Sequence, residues 1–175
     1  MKFVLLVFVQ VFVAMAAFGS AWDDKNNPTG LGRLSTSRFS ALPRSGAANL
    51  QPWTGNAWHS RGGGIASRWQ TGERAWDYNI ITRPLELSLL QTKTLSPAEK
   101  YDLLTGQYNF PTVLGERNRN NPNDVSWAGL CHGWASASIV FKEPRPVVLK
   151  NKDGLRIDFG SADVKAILIP ITFSS

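Results

Sequence analysis

The chain holds one cysteine, Cys131, and two histidines, His59 and His132. A thiol attacks acyl groups as the thiolate, so a working cysteine needs surroundings that favour negative charge. Cys131 stands in the run Trp127-Ala128-Gly129-Leu130-Cys131-His132-Gly133-Trp134-Ala135. The small and apolar residues from His132 to Val140 suit a buried helix of about three turns, broken before Pro144. At the start of that helix, the backbone N–H groups and the dipole stabilise a thiolate, and the same N–H groups can hold an oxyanion. Gly129 allows a tight backbone approach just before it. Trp127 and Trp134 are candidates to wall the site from water and to lend an indole N–H to the oxyanion; plain aromatic packing is their other role.

The base is less obvious. His132, adjacent to the cysteine, is turned roughly 100° away on a helix and is a weak partner for it. His59 reaches the thiol only if the tryptophan-rich stretch around it folds over the site. From composition alone, an inert core cysteine competes with a nucleophile. No metal-binding cluster stands out, and no cofactor is expected.

Elsewhere the sequence sets the compartment. Met1-Lys2, the apolar run Phe3 to Phe18 broken only by Gln10, and the small residues Gly19 and Ala21 ahead of Asp23-Asp24-Lys25 predict a signal peptide over residues 1–21. The run is shorter than the roughly 20 residues that cross a bilayer, so no membrane span is expected after cleavage. The mature protein is expected to be secreted or periplasmic. A lone cysteine there forms no internal disulfide framework and is open to oxidation unless buried or used. The net charge is +6, and residues 31–83 carry seven arginines against Glu73 and Asp77. These scattered arginines suit a solvated surface; the alternative is attraction to an acidic envelope surface. Nucleic acid is not expected as a partner, since no nucleic-acid motif accompanies the charge.

Residues 22–51, rich in Gly, Ser, Asn and Pro, read as a flexible N-terminal arm. Trp53, Trp58, Trp69 and Trp76 around Gly62-Gly63-Gly64 predict loops and short turns held by packed rings. Ser96-Pro97-Ala98-Glu99 predicts a helix capped by Ser96, running to Thr105 and stopped by Gly106. Thr112 to Ser126 reads as a polar loop. Val147–Lys150, Leu155–Phe159 and Ala166–Ile171 read as short strands, with a turn at 151–154. Asp153, Asp158 and Asp163 read as surface or strand-end groups. The pattern is α+β.

The run from Trp127 to Ala135, followed by Glu143-Pro144-Arg145-Pro146-Val147, resembles the nucleophile segment of the transglutaminase elicitor family, secreted proteins known from oomycetes and some bacteria. Pro52-Trp53 with Trp58, Gly63 to Trp69, Leu95 to Asp102, Asn151 to Phe159 and Asp163 to Ala166 are similar to the same family in order. The resemblance implies a papain-like, transglutaminase-like cysteine helix followed by short antiparallel strands. It also implies an acyltransferase in which Cys131 takes the acyl group of a protein glutamine, releases ammonia, and passes it to a lysine or other amine.

Family members complete their site with a histidine and an aspartate well downstream, whereas no histidine follows His132 here. The expectation is a C-terminally truncated member with a partial domain over 52–175 and deficient activity. Two alternatives stay open: a non-enzymatic wall- or glycan-binding module, and a papain-like cysteine peptidase or amidase that uses water in place of the amine.

Overall fold

The computed structural model describes residues 40, 45–47 and 49–171. The expected signal peptide and most of the expected arm lie outside the described residues. The described residues from Ala47 to Ile171 belong to one compact unit. Its elements are α1 (Leu89–Lys93), α2 (Pro97–Thr105), α3 (Pro111–Arg119), α4 (Cys131–Val140), β1 (Val147–Lys150), β2 (Arg156–Phe159) and α5 (Ser161–Ile171). At this level the α+β expectation holds: helices accompany a two-stranded antiparallel sheet.

Helix α2 begins as its sequence predicts. Ser96 Oγ accepts from the Glu99 N–H at 3.2 Å, and the Glu99 carboxylate accepts from the Ser96 N–H at 2.9 Å. Pro97 occupies the first turn, and Gly106, at φ 71°, closes the helix in the left-handed region that a Cβ would resist. Helix α1 carries a second capping box, between Ser88 and Gln91.

Helix α3 corrects the expected loop over 112–126. Its N-terminus is capped from a distance: the Asp102 carboxylate accepts from Thr112 N–H at 3.0 Å and Val113 N–H at 3.2 Å. Val113 is buried on the core side, and Pro111 opens the helix. The polar tract from Asn118 onward conceals this start because its cap lies ten residues upstream.

The hairpin β1–β2 has the expected turn. Asn151 Oδ1 accepts from Asp153 and Leu155 N–H groups at 3.0 and 2.9 Å, and its Nδ2 donates to Leu103 O. Val147 lies opposite Phe159 and Leu149 opposite Ile157. Phe159 and Ile157 are buried in a core shared with Trp58, Leu103, Phe110 and Val113.

The expected third strand, Ala166–Ile171, lies in helix α5. Gly160 O accepts from the Asp163 and Val164 N–H groups, and the Asp163 carboxylate accepts from the Gly160 N–H at 2.7 Å, a cap that starts a helix. Asp163, Ala166 and Ile169 follow at spacings of three and are buried together. Asp163 is thus interior, not a surface or strand-end group. Its carboxylate meets Lys100 Nζ at 2.5 Å and Trp69 Nε1 at 2.8 Å. Asp158 is half-buried in β2, while Asp153 is exposed and takes the Tyr108 hydroxyl. Among the described residues no helix is long and apolar enough to cross a membrane.

Candidate active site

Cys131 is the first residue of α4 and is exposed. It is therefore not the inert core cysteine that composition allows. Leu130 precedes it at φ −94°, ψ 26°, and no side chain caps the helix. The first-turn N–H groups of an α-helix have no partner within the helix, so this end is biased toward negative charge.

The segment leading into α4 is clamped to the tryptophan-rich stretch. His59 and Gly129 form an antiparallel bridge. On either side of it, Ser60 N–H donates to Ala128 O and Leu130 N–H to Ala57 O, each at 2.8 Å. A Cβ on Gly129 would lie 2.7 Å from Ala57 O and 3.0 Å from Trp58 O, so glycine is what lets the two segments meet. Ser60 Oγ accepts from Asn121 N–H at 3.0 Å, and Arg61 donates to Asp124 O. Trp58, buried and held at φ 47°, anchors the clamp in the core.

The backbone of residues 57–60 thus lies against that of residues 128–130, ahead of Cys131. The imidazole is exposed and lines a cavity of about 240 Å³ with Asn56, Trp58, Ser67, Trp69 and Glu73. No hydrogen bond joins the His59 imidazole to the Cys131 thiol. His132 is exposed on the first turn of α4.

The two tryptophans part company. Trp127 is 77% exposed and walls nothing from water. Trp134 is half-buried, and its indole N–H is spent on Trp53 O at 3.3 Å, while Trp53 donates its own to Phe141 O at 3.0 Å. That pair packs α4 against Trp53 and takes up the Trp134 indole donor. Helix α4 is also less buried than expected: Gly133, Ala137 and Ser138 face inward, while Ile139 and Val140 are exposed.

Asp163 is fully bonded to Lys100, Trp69 and Gly160, so it is not available to orient a histidine. The groove residues Asn56, Ser67 and Glu73 were not legible as a group, since nothing in the linear order brings them beside His59. The Glu73 carboxyl is held below its ordinary value, chiefly by the Thr71 hydroxyl and also by the Arg68 guanidinium.

The described arginines of the basic stretch are each engaged. Arg68 clasps Glu99 at 2.6 and 2.9 Å with its guanidinium over the Tyr78 ring, Arg74 pairs with Asp77, Arg83 with Glu86, and Arg61 with a carbonyl. Arg33, Arg38 and Arg44 lie outside the described residues. Among the described residues no group of three or more His, Cys, Asp or Glu side chains gathers that could hold a metal ion. No protein-family model matches the chain, and neither a curated protein nor a solved structure matches it.

Proposed function

We propose that this chain is an exported acyltransferase of the transglutaminase type, with Cys131 as nucleophile and His59 as its general base. The Cys131 thiolate attacks the side-chain amide carbon of a protein glutamine. The C–N bond breaks, ammonia leaves with the proton held by the base, and a thioester remains. A lysine or other primary amine then attacks the thioester and gives one proton to the base, the thiolate departs, and an isopeptide bond is formed. In this reading the cysteine helix and the hairpin that follows belong to a papain-like arrangement.

One observation carries the proposal. An exposed cysteine opens an uncapped helix, and the backbone of the only upstream histidine is bridged to Gly129, two residues before it. The absence of a thiol–imidazole hydrogen bond is compatible with this role, because such contacts are often long in unliganded enzymes and tighten on substrate. The resemblance of residues 127–135 supplies the choice of acyl donor and amine acceptor.

Incubating the protein with a glutamine-bearing peptide and a labelled primary amine tests the reading. Incorporation that disappears in Cys131→Ala supports it. Ammonia release without incorporation assigns the thiol to an amidase, and equal background in both proteins overturns acyl transfer altogether.

A further inference from the structure

The two edges of the hairpin sheet differ. On the β2 side the Asp158 N–H donates to Thr92 Oγ1 at 3.1 Å, so α1 covers that edge. Directly opposed residues of an antiparallel pair either exchange both backbone bonds or neither. Asp158 turns its N–H away from β1, so its partner Val148 turns its own N–H and C=O away from β2, and by alternation Lys150 does the same. Among the described residues nothing outside the hairpin hydrogen-bonds to 147–150. Among the described residues the outer edge of β1 is open.

That edge is apolar at its centre and basic around it. Val147, Val148 and Leu149 are 39%, 43% and 38% exposed, although Val147 and Leu149 stand opposite the buried Phe159 and Ile157. Lys150 lies directly across from Arg156, a like-charge pairing that destabilises a sheet. Among the described residues neither forms an ion pair, and exposed Lys142, Arg145 and Lys152 flank the strand, also without one. Short length, nearby prolines and lysines keep an edge from pairing with its own copies, and here two copies would bring the same cations together. A counter-charge from elsewhere relieves that repulsion instead.

We propose that the open edge of β1 accepts an extended segment of an acidic partner polypeptide by strand addition. The main chain of Val148 and Lys150 supplies the hydrogen bonds, Val147 and Leu149 cover its apolar side chains, and Lys150 with Arg156 meets its carboxylates.

The experiment uses a labelled synthetic peptide alternating valine with glutamate and follows fluorescence anisotropy on the full chain. Saturable binding that weakens with salt is expected. N-methylation of alternate peptide amides is expected to weaken it by about tenfold, because a pair of strand hydrogen bonds is lost. Val148→Pro, which removes one edge N–H and leaves the β2 bonds in place, is expected to do likewise; if that variant misfolds by circular dichroism, the methylated peptide carries the same comparison. Lys150→Glu with Arg156→Glu should switch preference to a valine–lysine peptide. Absent saturable binding to folded protein, binding indifferent to N-methylation, or sedimentation as a dimer that Val148→Pro dissolves would each overturn the proposal.

Discussion

Lys100 Nζ and Asp163 Oδ2 lie 2.5 Å apart with both side chains fully buried, joining α2 to α5. Trp69 Nε1, the Gly160 N–H and the Lys93 carbonyl complete the network, so neither charge lacks a partner. Removing one member strands the other charge in the interior, which costs about 3–5 kcal/mol. Lys100→Met is therefore expected to lower unfolding stability by that amount in urea titrations followed by tryptophan fluorescence. Lys100→Met combined with Asp163→Leu should recover part of the loss, because no uncompensated charge remains. A single variant within about 1 kcal/mol of the parent, a change typical of an exposed pair, would show that the network does not bind the two helices.

The elements that the sequence disclosed are those whose start and stop signals are local. The Ser96–Glu99 capping box, Gly106 and the Asn151–Gly154 turn act within a few residues of the segments they bound, and α2, β1 and β2 lie where these signals set them. Helix α1 escaped although its Ser88–Gln91 capping box is local, while the other elements that escaped depend on remote or concealed groups. Helix α3 takes its cap from Asp102, and α5 resembles a strand because Ile167, Leu168 and Ile169 are a short apolar run, for which periodicity alone does not separate the two states. The same division governs the site. Cys131 at the head of a helix was legible from its neighbours, whereas the bridge between His59 and Gly129 spans the whole middle of the chain and has no local sign.

Gly129 and Gly115 make a contrasting pair. A Cβ at 129 would meet Ala57 O at 2.7 Å and the backbone at His59 at 3.1 Å, while a Cβ at 115, within α3, meets nothing within 4 Å. Gly129→Ala is expected to cost about 1–3 kcal/mol, since the two segments must separate to admit it. Gly115→Ala should stabilise by roughly 0.5–1 kcal/mol through the lower entropy of the unfolded chain and better helix propensity. Thermal melts of the two variants moving in opposite directions check both statements. A neutral Gly129→Ala would mean that the clamp gives way readily.

Tyr78 is buried, and its hydroxyl donates to Ala66 O at 2.6 Å under the Arg68 guanidinium. Burial pushes the phenol up from 10.0 to about 12. The folded state therefore holds this proton more tightly than the unfolded chain. Its contribution is fully present below pH 10 and is lost as pH rises through 12, where the unfolded phenol has already ionised. Two units correspond to about 3 kcal/mol. Tyr78→Phe is expected to lose about 1 kcal/mol at neutral pH, where its hydrogen bonds are missing, and to decline less steeply across the alkaline window. Denaturant titrations of both proteins from pH 9 to pH 12 give the comparison, and parallel curves would remove Tyr78 from the account.

The two histidines separate by position. His59 lines the groove beside the clamp, and its main chain is fixed opposite Gly129. His132 follows Cys131 on α4, where helix geometry turns its side chain roughly 100° from the thiol. A general base contributes about 10²–10⁴-fold to rate. His59→Ala is expected to lower amine incorporation within that range without loss of stability, since the imidazole is exposed, and His132→Ala to lower it far less. Alkylation of Cys131 by iodoacetamide gives a second readout that needs no acyl donor: at neutral pH it should slow in His59→Ala and stay near the parent rate in His132→Ala. Should the parent protein fail to incorporate amine while the alkylation difference persists, the thiol is paired with His59 but serves other chemistry. If His132→Ala shows the larger effect in both assays, the roles assigned to the two histidines are reversed, and the first turn of α4 departs from regular helix geometry.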